Sequence, residues 1–446
     1  MRQAFLLLPI IVLLGASSAR ADGAADLAAA QAADQQHDAA AALPLYSSAL
    51  AAGTLTPDQQ AAALRGRALD ERDQQQFEKA IADDTQAIAV KPDDEQAFVD
   101  RAAVYAYQGK ADLAIADLTN ALYLQPADVT ALVDRGAIYA SRHDYQHALT
   151  DLNAAVKAEP DNLGAMLNRA AAYHGLGDND KAIADLDAVI KRRPDLAGAY
   201  YDRGNAWRDK GEAARAIADY DTAIRLKADY ADAFHNRGTA YQLTGQYAKA
   251  LADFTAAIRF APANPSAYYN RGNTYRMLGQ YDNAVADYDT LIYLTPNFAG
   301  AYSGRAYANY DAGRFVAAAN DFARAVVLDR SQAYPVLWLH LARIRTHQFD
   351  NAEFAANLRQ IDGQAWPAPI AAYLLRKIPS ARLLELAQEG DAQSRAIRVC
   401  DADFFIGEDS LNQRQSRAAR QFFLAARRNC PPPSPSFAGA IAGLRR

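Results

Sequence analysis

The sequence has few of the features that point to a catalytic protein. Its 446 residues include only two cysteines, and it contains neither a Gly-Lys-Ser/Thr phosphate loop nor a Gly-x-Ser-x-Gly nucleophile elbow. Among seven histidines, His143 and His147 have the i, i+4 spacing of a metal pair, but they flank an expected turn and have no third ligand of suitable spacing. We therefore predict no catalytic residue, no metal site and no cofactor.

The sequence also lacks a strong excess of charge and a long apolar run. It has 47 basic and 52 acidic residues, for a formal charge of −5, which does not favour nucleic acid or an anionic membrane as a partner. No apolar stretch reaches the roughly 20 residues that a membrane-spanning helix needs. We expect no nucleic-acid partner and no stable membrane insertion, while the oligomeric state stays open and a homodimer is compatible with the sequence.

The N-terminus has the pattern of an export signal. Arg2 is followed by an apolar run from Phe5 to Leu14, and Ala19-Arg20-Ala21 fits small-x-small cleavage. The run is too short for a membrane anchor, and no cysteine follows it for lipid attachment. The sequence predicts a signal peptide over residues 1–21, cleavage after Ala21, and a periplasmic or secreted protein.

A period of 34 residues dominates the rest of the chain. Proline, alanine and glycine each recur at this step, the prolines at Pro92, Pro126, Pro160, Pro194, Pro262 and Pro296. Between Pro126 and Pro160 the pattern predicts one helix over 128–142, a reversal at His143, where other units have glycine, and a second helix over 145–159. Such a hairpin cannot bury its apolar face alone, so the units must stack.

Charged residues follow the same period. Eight arginines each precede an aspartate by 16 residues, and the midpoint of Arg101 and Asp117 is Gly109 in the expected turn. Because residues equidistant from a turn face each other in an antiparallel hairpin, we predict an Arg–Asp ion pair between the two helices of each unit. A binding ladder is the alternative, but identical charges in every unit do not define one site.

The segment AYYNRGNTYRMLGQYDNAVADYDTLIYLTP (267–296) resembles the tetratricopeptide repeat in its spacing of aromatic, Gly, Tyr, Gly-x-Tyr, Ala and Pro residues. The resemblance implies an all-α fold, a right-handed superhelix of stacked hairpins (an α-solenoid). The expected layout is a degenerate repeat over 22–60, eight repeats over 61–332, a degenerate repeat with irregular helices over 333–399, and a final repeat with a capping helix over 400–446.

The C-terminal segment 400–431 is similar to the last repeat of periplasmic adaptors of the new-lipoprotein-I type, without their lipid-attachment cysteine. This resemblance implies a docking platform for cell-wall hydrolases or proteases. Cys400 and Cys430 are expected at the start of the first helix and the end of the second helix of this repeat, where a structural disulfide is the default in an oxidising compartment and a redox-active pair is the alternative.

In this family the first helix of each hairpin lines a concave groove that binds peptides. The corresponding positions change from small residues in the early repeats to polar and aromatic residues in the middle repeats, which we predict as the peptide-binding groove: Tyr201, Asn205, Arg208, His235, Asn236, Gln242, Tyr269, Asn270, Asn273 and Arg276. The alternative is that the asparagines only cap or stabilise the repeat.

We predict a non-enzymatic scaffold or adaptor of the cell envelope that binds other proteins or peptides. Two alternatives remain open at this point. One is a structural subunit of an envelope or secretion assembly, and the other is an accessory or enzymatic function in 367–399, where Trp366-Pro367-Ala368-Pro369 breaks the register.

Overall fold

The computed structural model describes residues 22–348, 351–359, 361, 365–430 and 434–445. Within these ranges the chain forms 25 helices and no strand, as the repeat pattern predicts. The helices fall into two compact units, unit 1 up to Asp185 and unit 2 from Leu186 onward. The predicted signal peptide lies outside the described residues.

Unit 1 consists of successive antiparallel hairpins of two helices each. Its helices are α1 (Gly23–Gln35), α2 (Ala39–Ala51), α3 (Pro57–Asp73), α4 (Phe77–Val90), α5 (Glu95–Tyr107), α6 (Ala111–Leu124), α7 (Val129–Ser141), α8 (Tyr145–Ala158) and α9 (Leu163–Gly175). Helix α10 (Asn179–Arg192) contains the division between the two units.

Unit 2 begins with regular hairpins and ends with helices of varied length. The regular helices are α11 (Ala197–Asp209), α12 (Ala213–Leu226), α13 (Ala231–Leu243), α14 (Tyr247–Phe260), α15 (Pro265–Met277), α16 (Tyr281–Leu294), α17 (Ala299–Asp311) and α18 (Phe315–Leu328). The remaining helices are α19 (Ala333–Arg345), α20 (Asn351–Leu358), α21 (Ala368–Leu374), α22 (Ser380–Ala387), α23 (Ala392–Asn412), α24 (Ser416–Asn429) and α25 (Pro435–Arg445).

The reversal inside each hairpin requires a left-handed backbone conformation. Gly109 has φ of 72°, and the glycines one period apart have similar values. His143 occupies the same place with φ of 62°, so the turn forms there without glycine. The helices on either side, α7 and α8, end and begin within one or two residues of the bounds that the sequence predicts.

Small residues allow the two helices of a hairpin to approach closely. The alanines that recur at 80, 114, 148, 182, 216, 250, 284 and 318 all have no exposed surface. Gly204 lies against the ring of Tyr220, where an added Cβ would come within 2.7 Å of the ring. The small residue on the first helix thus makes room for the large residue on the second helix, which fills the core.

All eight predicted Arg–Asp pairs are present, and each is bidentate. In the pair of Arg101 and Asp117, the Nε–Oδ2 and Nη2–Oδ1 distances are 2.8 and 2.7 Å. The remaining Nη1 of Arg101 donates to Thr85 on the second helix of the preceding hairpin. The arginine therefore joins three helices, which the 16-residue spacing alone did not reveal.

The helices after α19 fold back onto the first helices of the last regular hairpins. Trp338 of α19 has no exposed surface and stacks on Phe404 of α23 with ring centroids 4.7 Å apart. The Tyr310 hydroxyl of α17 donates to the Glu408 carboxylate of α23 at 2.7 Å. The C-terminal helix α25 contacts α17, α23 and α24. A single large core joins these elements.

Cys400 and Cys430 form a disulfide, with their Cα atoms 4.6 Å apart. The sequence-based placement of Cys400 at the start of a helix is wrong, because α23 begins at Ala392 and extends eight residues ahead of the cysteine. Cys430 follows the last residue of α24, as expected. The bond thus joins the middle of α23 to the end of α24.

Replacing both cysteines by alanine is expected to destabilise the C-terminal helices by about 3–4 kcal/mol, because the disulfide closes a 30-residue loop and restricts the unfolded chain. Thermal unfolding with and without a thiol reductant measures this effect. The wild-type protein should lose stability on reduction, whereas the double variant should not respond. Equal unfolding of the reduced and oxidised wild type would contradict the prediction.

Candidate functional site

The first helices of three consecutive hairpins in unit 2 carry most of the residues predicted for the groove. Tyr201 and Asn205 lie on α11, His235 and Asn236 on α13, and Tyr269, Asn270 and Asn273 on α15. We call the surface formed by these seven half-buried residues the amide face. In α5, α7 and α9 the same repeat positions hold mainly apolar residues, such as Val99, Ala103, Val133, Ala137, Leu167 and Ala171.

A hydrogen-bond network joins α11 to its neighbours on the amide face. The Asn236 amide donates to the Tyr201 hydroxyl at 3.0 Å and to Asn205 Oδ1 at 2.8 Å. Asn205 Oδ1 also accepts a bond of 2.8 Å from the hydroxyl of Tyr220 on α12. Burial raises the pKa of the Tyr201 hydroxyl, so this group stays protonated and can donate. The network fixes the orientation of two amides.

A second network on α15 leaves a donor available. The Tyr288 hydroxyl of α16 donates to Asn273 Oδ1 at 2.7 Å, which turns the amide so that its Nδ2 points away from this bond. Among the described residues Asn273 Nδ2 has no hydrogen-bond partner. Because Asn273 is half-buried, this donor can reach a ligand on the amide face.

His235 adds a neutral polar group to the same face. Its pKa is lowered mainly by burial; the negative charge of Asp232 opposes this change and the positive charge of Arg208 adds to it, so the neutral imidazole is favoured. Its Nε2 lies 3.3 Å from Asn270 Nδ2 and can accept that bond only when the proton is on Nδ1. Nδ1 is buried and has no partner among the described residues.

Two of the predicted groove residues are not accessible. Arg276 is predicted to line the peptide-binding groove, but only 6% of its surface is exposed. Its Nε bonds Asp311 at 2.6 Å and its Nη2 donates to the Pro435 carbonyl at 3.0 Å. Gln242 is likewise 6% exposed and donates to Thr274. Both predictions of direct ligand contact are corrected, because internal partners occupy these side chains.

Arg208 is the predicted groove cation whose side chain is partly accessible. Its side chain is 27% exposed and pairs with the adjacent Asp209, with Nε–Oδ1 and Nη2–Oδ1 distances of 2.9 Å. Because Asp209 is itself 40% exposed, the pair is weak and can exchange for another carboxylate. Arg208 therefore places a partly exposed positive charge near His235.

Aromatic rings border the amide face. Tyr201 packs against Tyr230 with ring centroids 5.0 Å apart, and Tyr269 packs edge-on against Phe298 at 6.0 Å. Phe298 is 47% exposed. Rings with one accessible side give contact area at low entropy cost, so this border suits a peptide that also has apolar side chains.

Sequence reasoning missed Tyr220 and Tyr288, which lie on second helices and orient the asparagines. A signal for them exists, because each tyrosine follows its asparagine by 15 residues, Asn205 with Tyr220 and Asn273 with Tyr288. The intervening hairpin has Thr239 in place of the asparagine and Phe254 in place of the tyrosine. In these three hairpins the asparagine and the tyrosine are therefore either both present or both absent.

Models of one repeat family match much of the regular part of the chain. A TPR repeat model matches residues 204–245 and 243–279, and two tetratricopeptide repeat models match residues 265–298 and residues 99–162 and 133–195. The chain is a tetratricopeptide-repeat (TPR) protein. This confirms the resemblance seen in the 34-residue period, whereas the likeness to the new-lipoprotein-I type stays an expectation.

Solved TPR structures resemble parts of this chain. A tetratricopeptide repeat protein from Parabacteroides merdae is 22% identical over 56% of this chain and 98% of its own, with a TM-score of 0.45. A MamA protein is 28% identical over 37% and 91%, with a TM-score of 0.34. YrrB, described as a TPR protein with an unusual peptide-binding site, is 22% identical over 41% and 95%, with a TM-score of 0.36. No curated protein matches the chain.

The family indicates the class of partner, and the helices of the structure bear on membrane insertion. Tetratricopeptide repeats generally mediate protein–protein interactions, so proteins or peptides are the class of partner that the family indicates. In the part of the chain that the structure describes, no helix is both long and apolar enough to cross a membrane.

Proposed function

We propose that this TPR protein is a non-enzymatic scaffold of the cell envelope that binds an extended peptide segment of a partner protein on the amide face. The observation that carries the proposal is the oriented amide of Asn273, whose Oδ1 accepts from Tyr288 while its Nδ2 is left as a donor. A peptide backbone offers carbonyl oxygens that such a donor binds. Asn205 and Tyr220 repeat this pairing two hairpins earlier.

The cell-envelope part of the proposal is supported by the signal-like N-terminus and by the disulfide. Disulfides persist in oxidising compartments such as the bacterial periplasm and are rare in the cytosol. Cell-wall hydrolases or proteases are the partner class that the resemblance of residues 400–431 suggests, and they stay part of the proposal.

The test replaces both oriented amides by carboxylates of the same shape, Asn205→Asp with Asn273→Asp. The tyrosine hydroxyls can still donate to the new side chains, so the hairpins should fold, but the amide donors are lost and acceptors face the peptide carbonyls. We expect partner binding to weaken about tenfold or more for each lost bond. Affinity capture from the native envelope identifies the partner, and titration of the purified partner measures the change.

The matched control is Asn283→Asp on α16, an exposed asparagine outside the amide face. It adds a charge of the same kind and should leave binding unchanged. If the double variant binds its partner as tightly as the control does, the amide face is not the binding site. Retention of one stoichiometric complex by the double variant would instead favour the structural-subunit function.

A further inference from the structure

A pocket of about 610 Å³ lies where the C-terminal helices meet the first helices of the last regular hairpins. Tyr269 of α15, Tyr307 of α17 and Tyr334 of α19 contribute to its wall, and Ile397 and Asp401 of α23 complete it on the C-terminal side. Pockets of this size hold small organic groups. It is built partly by α23, which lies beyond the regular hairpins, so the repeat pattern does not predict it.

Asp401 is a buried carboxylate in this pocket and has only neutral partners. It is 3% exposed, and its Oδ1 accepts a bond of 2.6 Å from the Ser436 hydroxyl. Its Oδ2 accepts from the Tyr334 hydroxyl at 2.6 Å and from the Trp366 indole at 3.1 Å. Among the described residues no lysine or arginine pairs with it.

A buried carboxylate without a countercharge is costly, because neutral hydrogen bonds recover only part of its hydration. Burial accordingly raises the pKa of Asp401, and the three hydrogen bonds oppose this change. The neighbouring Arg276 does not supply the countercharge, since it is bonded to Asp311 and does not line the pocket. A cation that enters the pocket would supply the positive charge that the Asp401 carboxylate lacks.

A second polar group of the pocket wall lacks a hydrogen-bond partner, whereas Asp401 lacks only a countercharge. Ser303 of α17 is 6% exposed, lines the pocket, and its Oγ has no hydrogen-bond partner among the described residues. A hydroxyl oxygen can accept a bond from a guanidinium or an ammonium group. The pocket wall therefore contains one hydroxyl without a hydrogen-bond partner, one carboxyl group without a countercharge and three phenol rings, and none of its described lining residues is basic.

We propose that this pocket binds an organic cation, a guanidinium or ammonium group on an aliphatic stem, with Asp401 as the countercharge and Ser303 as a hydrogen-bond acceptor. The faces of tyrosine rings attract such cations, and Arg276 already lies 4.9 Å from the centroid of the Tyr307 ring. The aliphatic stem would contact Ile397 and Pro435 on the pocket wall.

The inference rests on the proposed function in one respect, because it names an arginine or lysine side chain of the bound partner as the source of the cation. Tyr269 belongs to both the amide face and the pocket, so a peptide on α15 can extend into the pocket. The test uses probes that are too small to span α11 and α13, so its outcome is separate from that of the amide-face variants.

The experiment compares Nα-acetyl-arginine methylamide with its citrulline counterpart, which has nearly the same shape and no charge. Saturation-transfer NMR and titration on the purified full-length protein measure binding. We expect the arginine probe to bind at least tenfold more tightly than the citrulline probe. Asp401→Asn should remove this difference, because the asparagine can keep hydrogen bonds to the tyrosine and the indole but carries no charge.

The matched control is Asp403→Asn on the same helix, since Asp403 bonds Asn429 and does not line the pocket. It should leave arginine binding unchanged. If Asp401→Asn does not fold, Ala396→Trp provides the second variant, because the exposed Ala396 lines the pocket and a large side chain there would fill it. We expect this variant to fold and to lose the arginine probe.

Butylguanidinium, which has no peptide groups, separates the two sources of the cation. Tighter binding of the acetylated arginine supports a side chain of a partner protein, and equal binding supports a free organic cation in the same site. Equal binding of arginine and citrulline probes to the wild type, or arginine binding that survives both Asp401→Asn and Ala396→Trp, overturns the proposal.

Discussion

Asp287→Ala is expected to destabilise the protein by about 3–5 kcal/mol, because it leaves the Arg271 guanidinium partly buried without an opposite charge. The Asp287 and Arg271 side chains are only 7% and 17% exposed. Two bonds are lost, from Nε to Oδ2 at 2.9 Å and from Nη2 to Oδ1 at 2.7 Å. The third partner of Arg271 is the hydroxyl of Thr255, which carries no charge.

Asp219→Ala is the matched comparison, because it removes the same bidentate partner from Arg203. Arg203 also pairs with Asp187, whose side chain is 55% exposed, so a negative charge stays beside the guanidinium. We expect a smaller loss, about 2–3 kcal/mol. Chemical unfolding of both variants measures the difference. Wild-type stability in both would mean that the pairs contribute nothing, and equal losses would mean that the second partner does not matter.

Asp84→Leu is expected to stabilise unit 1, with the largest gain above neutral pH. Residues at the corresponding place in the following hairpins are large and at most 2% exposed: Leu118, Leu152, Leu186, Tyr220, Phe254, Tyr288 and Phe322. Asp84 is 1% exposed in this position, and its Oδ1 has no hydrogen-bond partner among the described residues. Leucine would restore an apolar side chain to an apolar place in the core.

The pH dependence follows from the pKa of Asp84. Burial, with repulsion from Asp100 and Asp83, raises this pKa from 3.8 to about 8, although Arg101 and Arg65 oppose the increase. At a pH between these two pKa values, the Asp84 carboxyl has lost its proton in the unfolded chain and retains it in the folded chain. Stability therefore falls as pH rises from about 4 to 8, by at most about 1.4 kcal/mol per pH unit from this group.

The measurement is the unfolding free energy of wild type and Asp84→Leu across pH 4 to 9. The gain from leucine should be smallest near pH 4 and should grow by up to about 5 kcal/mol at pH 8. Comparing the two proteins at each pH cancels the contributions of the other buried acids of unit 1 to the unfolding free energy. One of these acids is Asp70, whose pKa is raised by burial to about 6. Asp93→Asn, at an exposed position, is the control. A gain that does not change with pH would show that Asp84 is not protonated in the folded protein.

The regular features of the fold could be predicted because they repeat. The Arg–Asp pairs, the turn at His143 and the buried alanines each follow from positions 34 residues apart, and a hairpin places residues equidistant from the turn against each other. Asp84 could also have been noticed, since it breaks the apolar pattern of its position. Its raised pKa could not, because this depends on how completely the neighbouring helices exclude water.

The candidate site was predictable only in part. The sequence predicted the polar residues of α11, α13 and α15, but it also included Arg276 as an accessible cation. Arg276 is buried because the chain returns 159 residues later and places the Pro435 carbonyl against it. A 34-residue period does not predict a contact between residues 159 positions apart in the chain. The same return of the chain creates the pocket at Asp401.

The sequence by itself determined the helical hairpins, their period and the ion pairs within them, because these depend on local geometry and on contacts between neighbouring units. Only the tertiary structure decided which polar side chains of the first helices stay accessible and which are occupied by other parts of the chain. The physical reason is that the helices after α19 fold back onto α17 and α19 through an aromatic core, and no local rule specifies where such a segment packs.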